Sequence, residues 1–165
     1  GRAHATGLRD EHRLGAEHRR RSAARAAPLG AALAAALRNG VFARLEELRI
    51  GANSIGNQGA ATLAKPLRKL PALRVLDLGD NEIGDEGLDS LLAGLDKNNC
   101  KALTAFYLDG NDLTDAGCAK LIAARKAGAL PAVRELDCDY ALEDGVFCAR
   151  VSQEMRGALA AAFEV

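Results

Sequence analysis

The sequence has few of the residues on which catalytic and cofactor sites depend. Its three histidines, His4, His12 and His18, all lie near the N-terminal end, no Cys-x-x-Cys pair occurs, and tryptophan is absent. A zinc site therefore has too few ligands, and a histidine-dependent nucleophile would require the N-terminal segment to fold back onto the rest of the chain. We expect no enzymatic activity, no catalytic residue, no metal and no cofactor.

Long hydrophobic runs and aromatic residues are also scarce. Aromatic residues make up 4% of the chain against 48% for all hydrophobic residues, which predicts aliphatic packing. The longest nearly uncharged segment, Ala26 to Leu37, lies between two arginines and is far shorter than the ~20 residues that a membrane-spanning helix needs. An Arg-rich region precedes it, unlike a signal peptide. The chain begins with Gly1 instead of Met, so we expect a fragment, a processed product or a trimmed sequence.

Three consecutive segments repeat one arrangement of apolar residues, asparagine and glycine. They start at Leu45, Leu73 and Leu103, and a fourth start, Val133, follows at the same interval as the last two. This period indicates a solenoid in which each unit must stack on its neighbours to bury its apolar face. The aligned columns are Leu48/Leu76/Phe106, Ile50/Leu78/Leu108, Asn53/Asn81/Asn111, Ile55/Ile83/Leu113 and Gly59/Gly87/Gly117.

Each unit changes from the period of a strand to the period of a helix. In Leu-x-x-Leu-x-Leu the last two apolar residues lie two apart, on the same face of a short strand. The asparagine that follows can bond backbone groups that the ending strand leaves unpaired. The glycine allows a tight turn or a close chain approach before the helix. Helical spacing follows, and the order strand, turn, helix is therefore predicted for every unit.

The pattern Leu-x-x-Leu-x-Leu-x-x-Asn-x-Ile, in units of about 30 residues, resembles the ribonuclease-inhibitor class of leucine-rich repeats. That class is similar to the repeat domains of Ran GTPase-activating proteins and of NOD-like receptors. The resemblance covers residues 45 to about 132. It implies an α/β solenoid, a horseshoe segment with a short parallel sheet on the concave side and helices on the convex side.

The resemblance also implies a protein–protein interaction module. One alternative is a fragment of a Ran-type GTPase activator that docks a small GTPase, although no residue here matches the active loop of that family. The other alternative is the sensor repeat region of a NOD-like receptor, whose nucleotide-binding module would then lie outside this chain.

The repeats define the expected domain organisation. The N-terminal segment, residues 1–28, is Arg-rich and expected to be mobile, with a nucleic-acid-binding arm or part of a transit peptide as alternatives. Its acids and its lack of interleaved aromatics disfavour both alternatives. The leucine-rich-repeat domain, residues 29–165, divides into a half-unit at 29–44, repeats at 45–72, 73–102 and 103–132, and a degenerate capping repeat at 133–165.

Several local features of the repeats carry their own expectations. Ala31 to Arg38 should form the helix of the half-unit, and Pro66 should bend or shorten the helix of the first full repeat. A last amphipathic helix should run through Cys148 and Phe163 as a C-terminal cap. The aspartates that recur after the strands lack the ligand pattern of an EF-hand, and we interpret them as solvated loops. They are Asp77, Asp80, Asp85, Asp109, Asp112 and Asp115.

The four cysteines, Cys100, Cys118, Cys138 and Cys148, occupy apolar positions of the repeats or of the last helix. We interpret them as small buried thiols. Unpaired buried thiols suit a reducing compartment, so the sequence predicts an intracellular, cytoplasmic protein.

Charge is distributed unevenly although the formal net charge is zero. Residues 1–44 carry a net charge of +6 and residues 45–165 a net charge of −6, so the two parts should attract different partners. If the apolar strand residues point inward, alternation sends their neighbours outward. The three outward rows would be Arg49/Asp77/Tyr107/Asp137, Gly51/Gly79/Asp109/Asp139 and Glu47/Val75/Ala105/Glu135.

This outward face is the candidate site. It is acidic, with one base in these rows, and it presents Tyr107, while Tyr140 follows just beyond the fourth strand. Tyrosine is favoured in binding hot spots because it offers a large rigid area and one polar tip. We predict that the face binds a basic surface of another protein; the alternative is a solvated face without a partner. A membrane is not expected as a partner, and nucleic acid is disfavoured. The predicted partner-binding residues are Arg49, Asp77, Tyr107, Asp109, Glu135, Asp137, Asp139 and Tyr140.

Overall fold

Four strands alternate with four helices in the computed structural model, which describes residues 31–32, 34–36, 42–96, 98–138 and 151–163. The residues described between 31 and 36 are helical, as expected for the half-unit. The alternation confirms the α/β solenoid. The elements are β1 (Glu47–Arg49), α1 (Gly56–Leu67), β2 (Val75–Asp77), α2 (Asp85–Gly94), β3 (Ala105–Tyr107), α3 (Asp115–Lys126), β4 (Glu135–Asp137) and α4 (Gln153–Phe163).

The strands form one parallel sheet in the order β1-β2-β3-β4. Leu48 pairs with Leu76, Leu76 with Phe106, and Phe106 with Leu136. The apolar column that the sequence alignment defines is therefore a row across the sheet, and the predicted register is confirmed. Parallel strands need a crossover connection, which the helix of each unit supplies.

The core lies between the sheet and the helices. Leu76 and Phe106 of the strands are fully buried, as are Leu63, Leu91 and Leu121 of the first three helices. Burying one such side chain contributes roughly 1.5–3 kcal/mol. Because each unit covers the apolar side of its neighbour, the core is continuous along the repeats.

Asn81 joins the first unit to the second from a fully buried position. Its Nδ2 donates hydrogen bonds to the carbonyl oxygens of Ile50 and Leu78, each at 3.0 Å. Its Oδ1 accepts hydrogen bonds from the backbone N–H groups of Asn53, at 3.2 Å, and Ile55, at 3.3 Å. A buried amide is stable only with such partners, so the predicted role of the asparagine column is confirmed.

Asn111 makes the same contacts one unit later. Its Nδ2 donates to the carbonyl oxygens of Leu78 and Leu108, each at 2.9 Å. Its Oδ1 accepts from the N–H groups of Asn81, at 3.1 Å, and Ile83, at 2.9 Å. The asparagines thus form a ladder that links successive strand ends.

The glycine column lies inside the helices and not in turns before them. Gly59, Gly87 and Gly117 fall in the first turns of α1, α2 and α3, and none has a positive φ. A Cβ at Gly87 would lie 2.6 Å from Oδ1 of Asn57, and one at Gly117 would lie closer still to Oδ1 of Asp85. Close approach, not turn formation, therefore explains the column.

Asn57 and Asp85 reach the start of the helix in the following unit. Oδ1 of Asn57 accepts hydrogen bonds from the N–H groups of Gly84, at 2.7 Å, and Gly87, at 3.2 Å. The two carboxylate oxygens of Asp85 accept from the N–H of Thr114, at 2.9 Å, and from its hydroxyl, at 2.6 Å. Each side chain satisfies donors that the first turn of a helix leaves unpaired.

Asp115 repeats this contact at the C-terminal end. Its Oδ1 accepts a hydrogen bond from the N–H of Ser152, at 2.7 Å, directly before α4. Residues 57, 85 and 115 thus form a column of caps in which each unit caps the helix of the next. Interpreting Asp85 and Asp115 as solvated loop residues was wrong, because both carboxylates bind backbone amides of another unit.

The remaining local expectations have mixed outcomes. Helix α1 ends at Leu67, one residue after Pro66, and has 12 residues like α3, so the proline does not shorten it. Helix α4 buries Leu159 and Phe163, which confirms a C-terminal amphipathic helix, but it begins at Gln153, so the expected extension back through Val151 was wrong.

Two of the cysteines are buried as expected and a third is not. Cys100 and Cys118 are buried, and burial raises the pKa of the Cys100 thiol to about 11. Cys138 is only half-buried, because no further described strand follows β4 to cover it. Cys148 lies outside the described residues.

Candidate functional site

The outward sheet face has the predicted rows. Arg49 pairs with Asp77, Asp77 with Tyr107, and Tyr107 with Asp137 across the four strands. We define the outward sheet face by its described residues. They are Glu47, Arg49, Gly51, Val75, Asp77, Gly79, Ala105, Tyr107, Asp109, Glu135 and Asp137.

Arg49, the one base of these rows, is paired within the face. Its Nε donates to Oε2 of Glu47 at 3.1 Å, and its Nη1 lies 3.9 Å from Oδ2 of Asp77. Both Arg49 and Glu47 are more than half exposed, so each ion pair contributes at most about 1 kcal/mol. The pairs neutralise the β1 end of the face and leave the negative charge concentrated at β3 and β4.

Tyr107 connects β3 to β4 through its hydroxyl group. The hydroxyl donates a hydrogen bond to Oε2 of Glu135 at 2.5 Å, a charge-assisted contact. This bond is the main reason that the pKa of Tyr107 is raised above its ordinary value, because ionising the phenol would remove the donor. The ring is thereby fixed across the strand junction.

Asp109 lies where several carboxylates converge. Partial burial raises its pKa, and the negative charge of Asp137 raises it further. Asp80 and Asp77 add smaller effects in the same direction, against a backbone hydrogen bond that lowers the pKa. Nearby like charges disfavour ionisation of each member, so this part of the face is electrostatically strained in the free protein.

Two glycines leave room for the carboxylates of the neighbouring strand. A Cβ at Gly79 would lie 3.0 Å from Oδ1 of Asp109, and one at Gly51 would lie 3.3 Å from Oδ1 of Asp77. The N–H of Gly79 also donates to Oδ1 of Asp77 at 3.1 Å. The predicted row of Gly51, Gly79 and Asp109 thus lets acidic side chains lie across the face.

The structure brings together six of the eight predicted residues, while Asp139 and Tyr140 lie outside the described residues. Sequence reasoning missed the internal pairing of Arg49 and the bond between Tyr107 and Glu135. Tyr107 pairs with Asp137 and not with Glu135 across the sheet, so the strand register alone gave no direct signal for that bond.

Comparison with known proteins agrees with this architecture. A leucine-rich-repeat family model matches residues 69–92 and 99–121. Ribonuclease inhibitor of Sus scrofa is 36% identical over 84 residues, which is 51% of this chain and 18% of that protein. Tonsoku-like protein of Bos taurus is 38% identical over 81 residues, which is 48% of this chain and 6% of that protein.

Another relative and one solved structure share the pattern. NACHT, LRR and PYD domains-containing protein 12 of Mus musculus is 35% identical over 78 residues, covering 47% of this chain and 7% of that protein. The structure of leiomodin-1 actin-binding site 2 superposes with a TM-score of 0.58 and 16% identity, over 78% of this chain and 69% of that chain. At this identity the likeness concerns the fold alone.

The fold, with its stacked strand–helix units joined by an asparagine ladder, defines the chain as a repeat solenoid. The sequence matches show that its repeats are similar to those of leucine-rich-repeat proteins such as ribonuclease inhibitor. Leucine-rich repeats generally mediate protein–protein interaction.

The matches span between 6% and 18% of the relatives' own lengths. Among the described residues, no helix is long and apolar enough to cross a membrane.

Proposed function

We propose that this chain is a protein-interaction module whose outward sheet face binds a basic segment of another protein. The observation that carries the proposal is the position of Tyr107. Its hydroxyl bonds Glu135, and it pairs with Asp137 of β4. Asp109 follows two residues later, and Arg49, the one base of these rows, is ion-paired at the other end of the face. Asp139 and Tyr140 are included in the proposal on their sequence positions.

Lys or Arg side chains of a partner would complement both the carboxylates and the tyrosine ring of this surface. A bound cation would relieve the repulsion between Asp109 and Asp137, which raises the pKa of Asp109 in the free protein. Binding should therefore lower that pKa and release protons in mildly acidic solution, because the cation favours the ionised carboxylate. The ring of Tyr107 would supply apolar contact area for the stem of the basic side chain.

The two kinds of residue should contribute differently to affinity. An exposed charge pair contributes about 0.2–1 kcal/mol and is screened by salt. A tyrosine in the centre of an interface can contribute about 2 kcal/mol. Affinity should thus depend most on Tyr107, whereas the salt dependence should follow the number of carboxylates.

The test is a quantitative pull-down from cell extract with the intact chain and a Tyr107→Ala, Asp137→Ala double variant, at low and moderate salt. Circular dichroism first establishes that both proteins fold alike. Asp89→Ala is the control, because Asp89 is an exposed acid of α2 outside the outward sheet face. A partner that the control retains, that salt releases and that the double variant loses would support the proposal.

Two results would contradict it. Equal recovery of the same partners by the intact chain and the double variant would show that the face is merely solvated. Stimulated GTP hydrolysis on adding the chain to a panel of small GTPases would favour the GTPase-activator alternative instead.

A second candidate is the sensor repeat region of a larger receptor. Its support is the 35% identity to the NACHT, LRR and PYD protein, of which the match covers 7%. Determining the transcript upstream of Gly1 tests it, since a nucleotide-binding module encoded there would favour the receptor and its absence from the complete reading frame would exclude it.

A further inference from the structure

The solenoid has two edges, and they differ in charge. The edges are distinct because all the strands are parallel. Every strand-to-helix connection lies at one edge and every helix-to-strand connection at the other. Residues 80–86 and 110–116, in the connections after β2 and β3, contain six acidic residues and no Lys or Arg, and we call them the acidic edge; residues 50–55, after β1, contain no charged residue. Connections 65–74, 95–104 and 125–134 contain nine Lys or Arg residues and one acid, and we call them the basic edge.

Two arginines of the basic edge serve the fold itself. Arg68 donates a hydrogen bond to the carbonyl oxygen of Ala93 near the end of α2, and Arg125 donates to that of Leu130. The guanidinium carbon of Arg125 also lies 5.2 Å from the ring centre of Phe163. Positive charge near helix C-termini is favourable, so these two residues need no partner outside the chain.

Lys65 and Lys126 lie in the last turns of α1 and α3, where positive charge also favours the helix ends. Helix α2 has no basic residue in its last turn, yet Lys101 lies in the connection from α2 to β3. Lys65, Lys101 and Lys126 are all exposed, one in each of three successive connections. The basic edge therefore presents an exposed ammonium group in each of its three connections.

The acidic edge shows the same division between structural and exposed charges. Asp85 and Asp115 cap helices. Asp80 and Glu86 are exposed and Glu82 is half-exposed in the connection from β2 to α2. Carboxylates are thus presented at the edge opposite the lysines.

The edges are far enough apart to act separately. Helices of 10 to 12 residues separate the two edges by about 15–18 Å, which exceeds the Debye length of ~8–10 Å at physiological salt. The chain also has zero formal net charge, so copies do not repel one another at long range, a condition that promotes association.

We propose that copies of this chain associate edge to edge, with the basic edge of one copy on the acidic edge of the next. The edges are complementary in charge, and each of the three basic connections presents an exposed lysine. Exposed charges in successive connections allow more than one ion pair to form. The contact joins two different surfaces, so it is heterologous and leads to rings or open chains of copies instead of a closed two-fold dimer. The proposal is independent of the function proposed for the outward sheet face.

The association should be weak and sensitive to salt. Each exposed ion pair contributes little alone, and salt screens it. Sedimentation velocity of the full chain at low and at moderate salt, over a series of protein concentrations, measures the effect. We expect larger species that grow with concentration at low salt, and a single monomeric species at moderate salt.

Three charge variants make the test specific. Lys65→Glu with Lys101→Glu reverses part of the basic edge, and Glu82→Lys with Glu86→Lys reverses part of the acidic edge. Each should weaken self-association at least tenfold, and an equal mixture of the two should associate again. The control gains the same four negative charges as the basic-edge variant, but on the exposed helix surface, and should keep most of the association. It combines Ala61→Glu, Ala119→Glu, Ala123→Glu and Ala158→Glu.

Four results would overturn the proposal. They are a wild-type chain that stays monomeric at low salt, edge variants that associate like the wild type, a control that loses association as fully as the basic-edge variant, and a mixture that fails to associate. The Tyr107→Ala, Asp137→Ala variant separates this test from the previous one. It should self-associate normally, and its failure to do so would place the contact on the outward sheet face.

Discussion

The phenol oxygen of Tyr107 lies 2.5 Å from Oε2 of Glu135, so the aromatic side chain of β3 is bonded to the acidic side chain of β4. The bond orients the ring in the centre of the outward sheet face. It also protects the phenolic proton, since the pKa of Tyr107 is raised.

Replacing Glu135 by Gln should lower the pKa of Tyr107 toward its ordinary value, because the charged acceptor is the first cause of the shift. Ultraviolet absorbance during alkaline titration follows phenol ionisation, and Tyr107→Phe identifies which of the two tyrosines contributes. Asp89→Asn is the control and should leave the titration unchanged. An identical phenol titration in Glu135→Gln would show that the bond does not persist in solution.

Acid should loosen the attachment of α4. The N–H of Ser152 bonds Asp115 and lowers the pKa of that carboxyl below its usual 3.8. Because the pKa of Asp115 is lower in the folded state than in the unfolded state, its ionised carboxylate stabilises the fold at pH values above the ordinary pKa of Asp. This stabilisation is lost as the pH falls through the folded-state pKa. Hydrogen exchange of the α4 amides should accelerate in that range.

The variant Asp115→Asn should remove this acid dependence, because an amide retains an acceptor oxygen but does not titrate. Glu154→Gln, which neutralises an exposed acid in the first turn of α4, is the matched control and should preserve it. Unchanged acid dependence in Asp115→Asn would assign the effect to another group.

Gly87→Ala should destabilise the fold by about 1–3 kcal/mol through overpacking, because its Cβ would lie 2.6 Å from Asn57 and 2.8 Å from Ile83. Urea unfolding measures the loss. Gly157→Ala is the opposite case, since α4 leaves open space there, and alanine should stabilise the helix by up to ~1 kcal/mol. Similar effects at both positions would refute the close-approach explanation.

Asn81→Ala should cost more stability than Asn53→Ala. Asn81 is fully buried and bonds the preceding unit, so its loss leaves buried backbone groups unsatisfied, at about 1–3 kcal/mol for each. Asn53 is exposed and bonds only within its own unit through Nδ2, and water can replace those bonds. Chemical denaturation measures the free energy of unfolding of both variants. Equal losses of stability would contradict the role of Asn81 in joining the first unit to the second.

Sequence reasoning predicts the strand register and the outward rows because both follow from a strict period. Leu48, Leu76 and Phe106 stand at one alignment position, and parallel pairing converts that position into a row. The contacts between charged side chains follow no such period. Arg49 bonds Glu47 and Asp77 because of side-chain reach, which residue spacing does not specify.

The cap column shows a second limit. Asn57, Asp85 and Asp115 differ in residue type, and each stands in a polar segment where an acid or amide is common. Their partners lie 27 to 37 residues further along the chain. The glycine column indicated these contacts indirectly. Gly87 and Gly117 lack a side chain where the side chains of Asn57 and Asp85 approach.

These caps give the solenoid a direction. Each unit caps the helix that follows it and has its own helix capped by the unit before. Removing the last unit leaves every earlier helix with its cap, whereas removing the first deprives the next helix of its acceptor. Shortening the chain from the two ends is therefore unequal, and ordered structure should spread more readily from the N-terminal repeats toward the C-terminal ones.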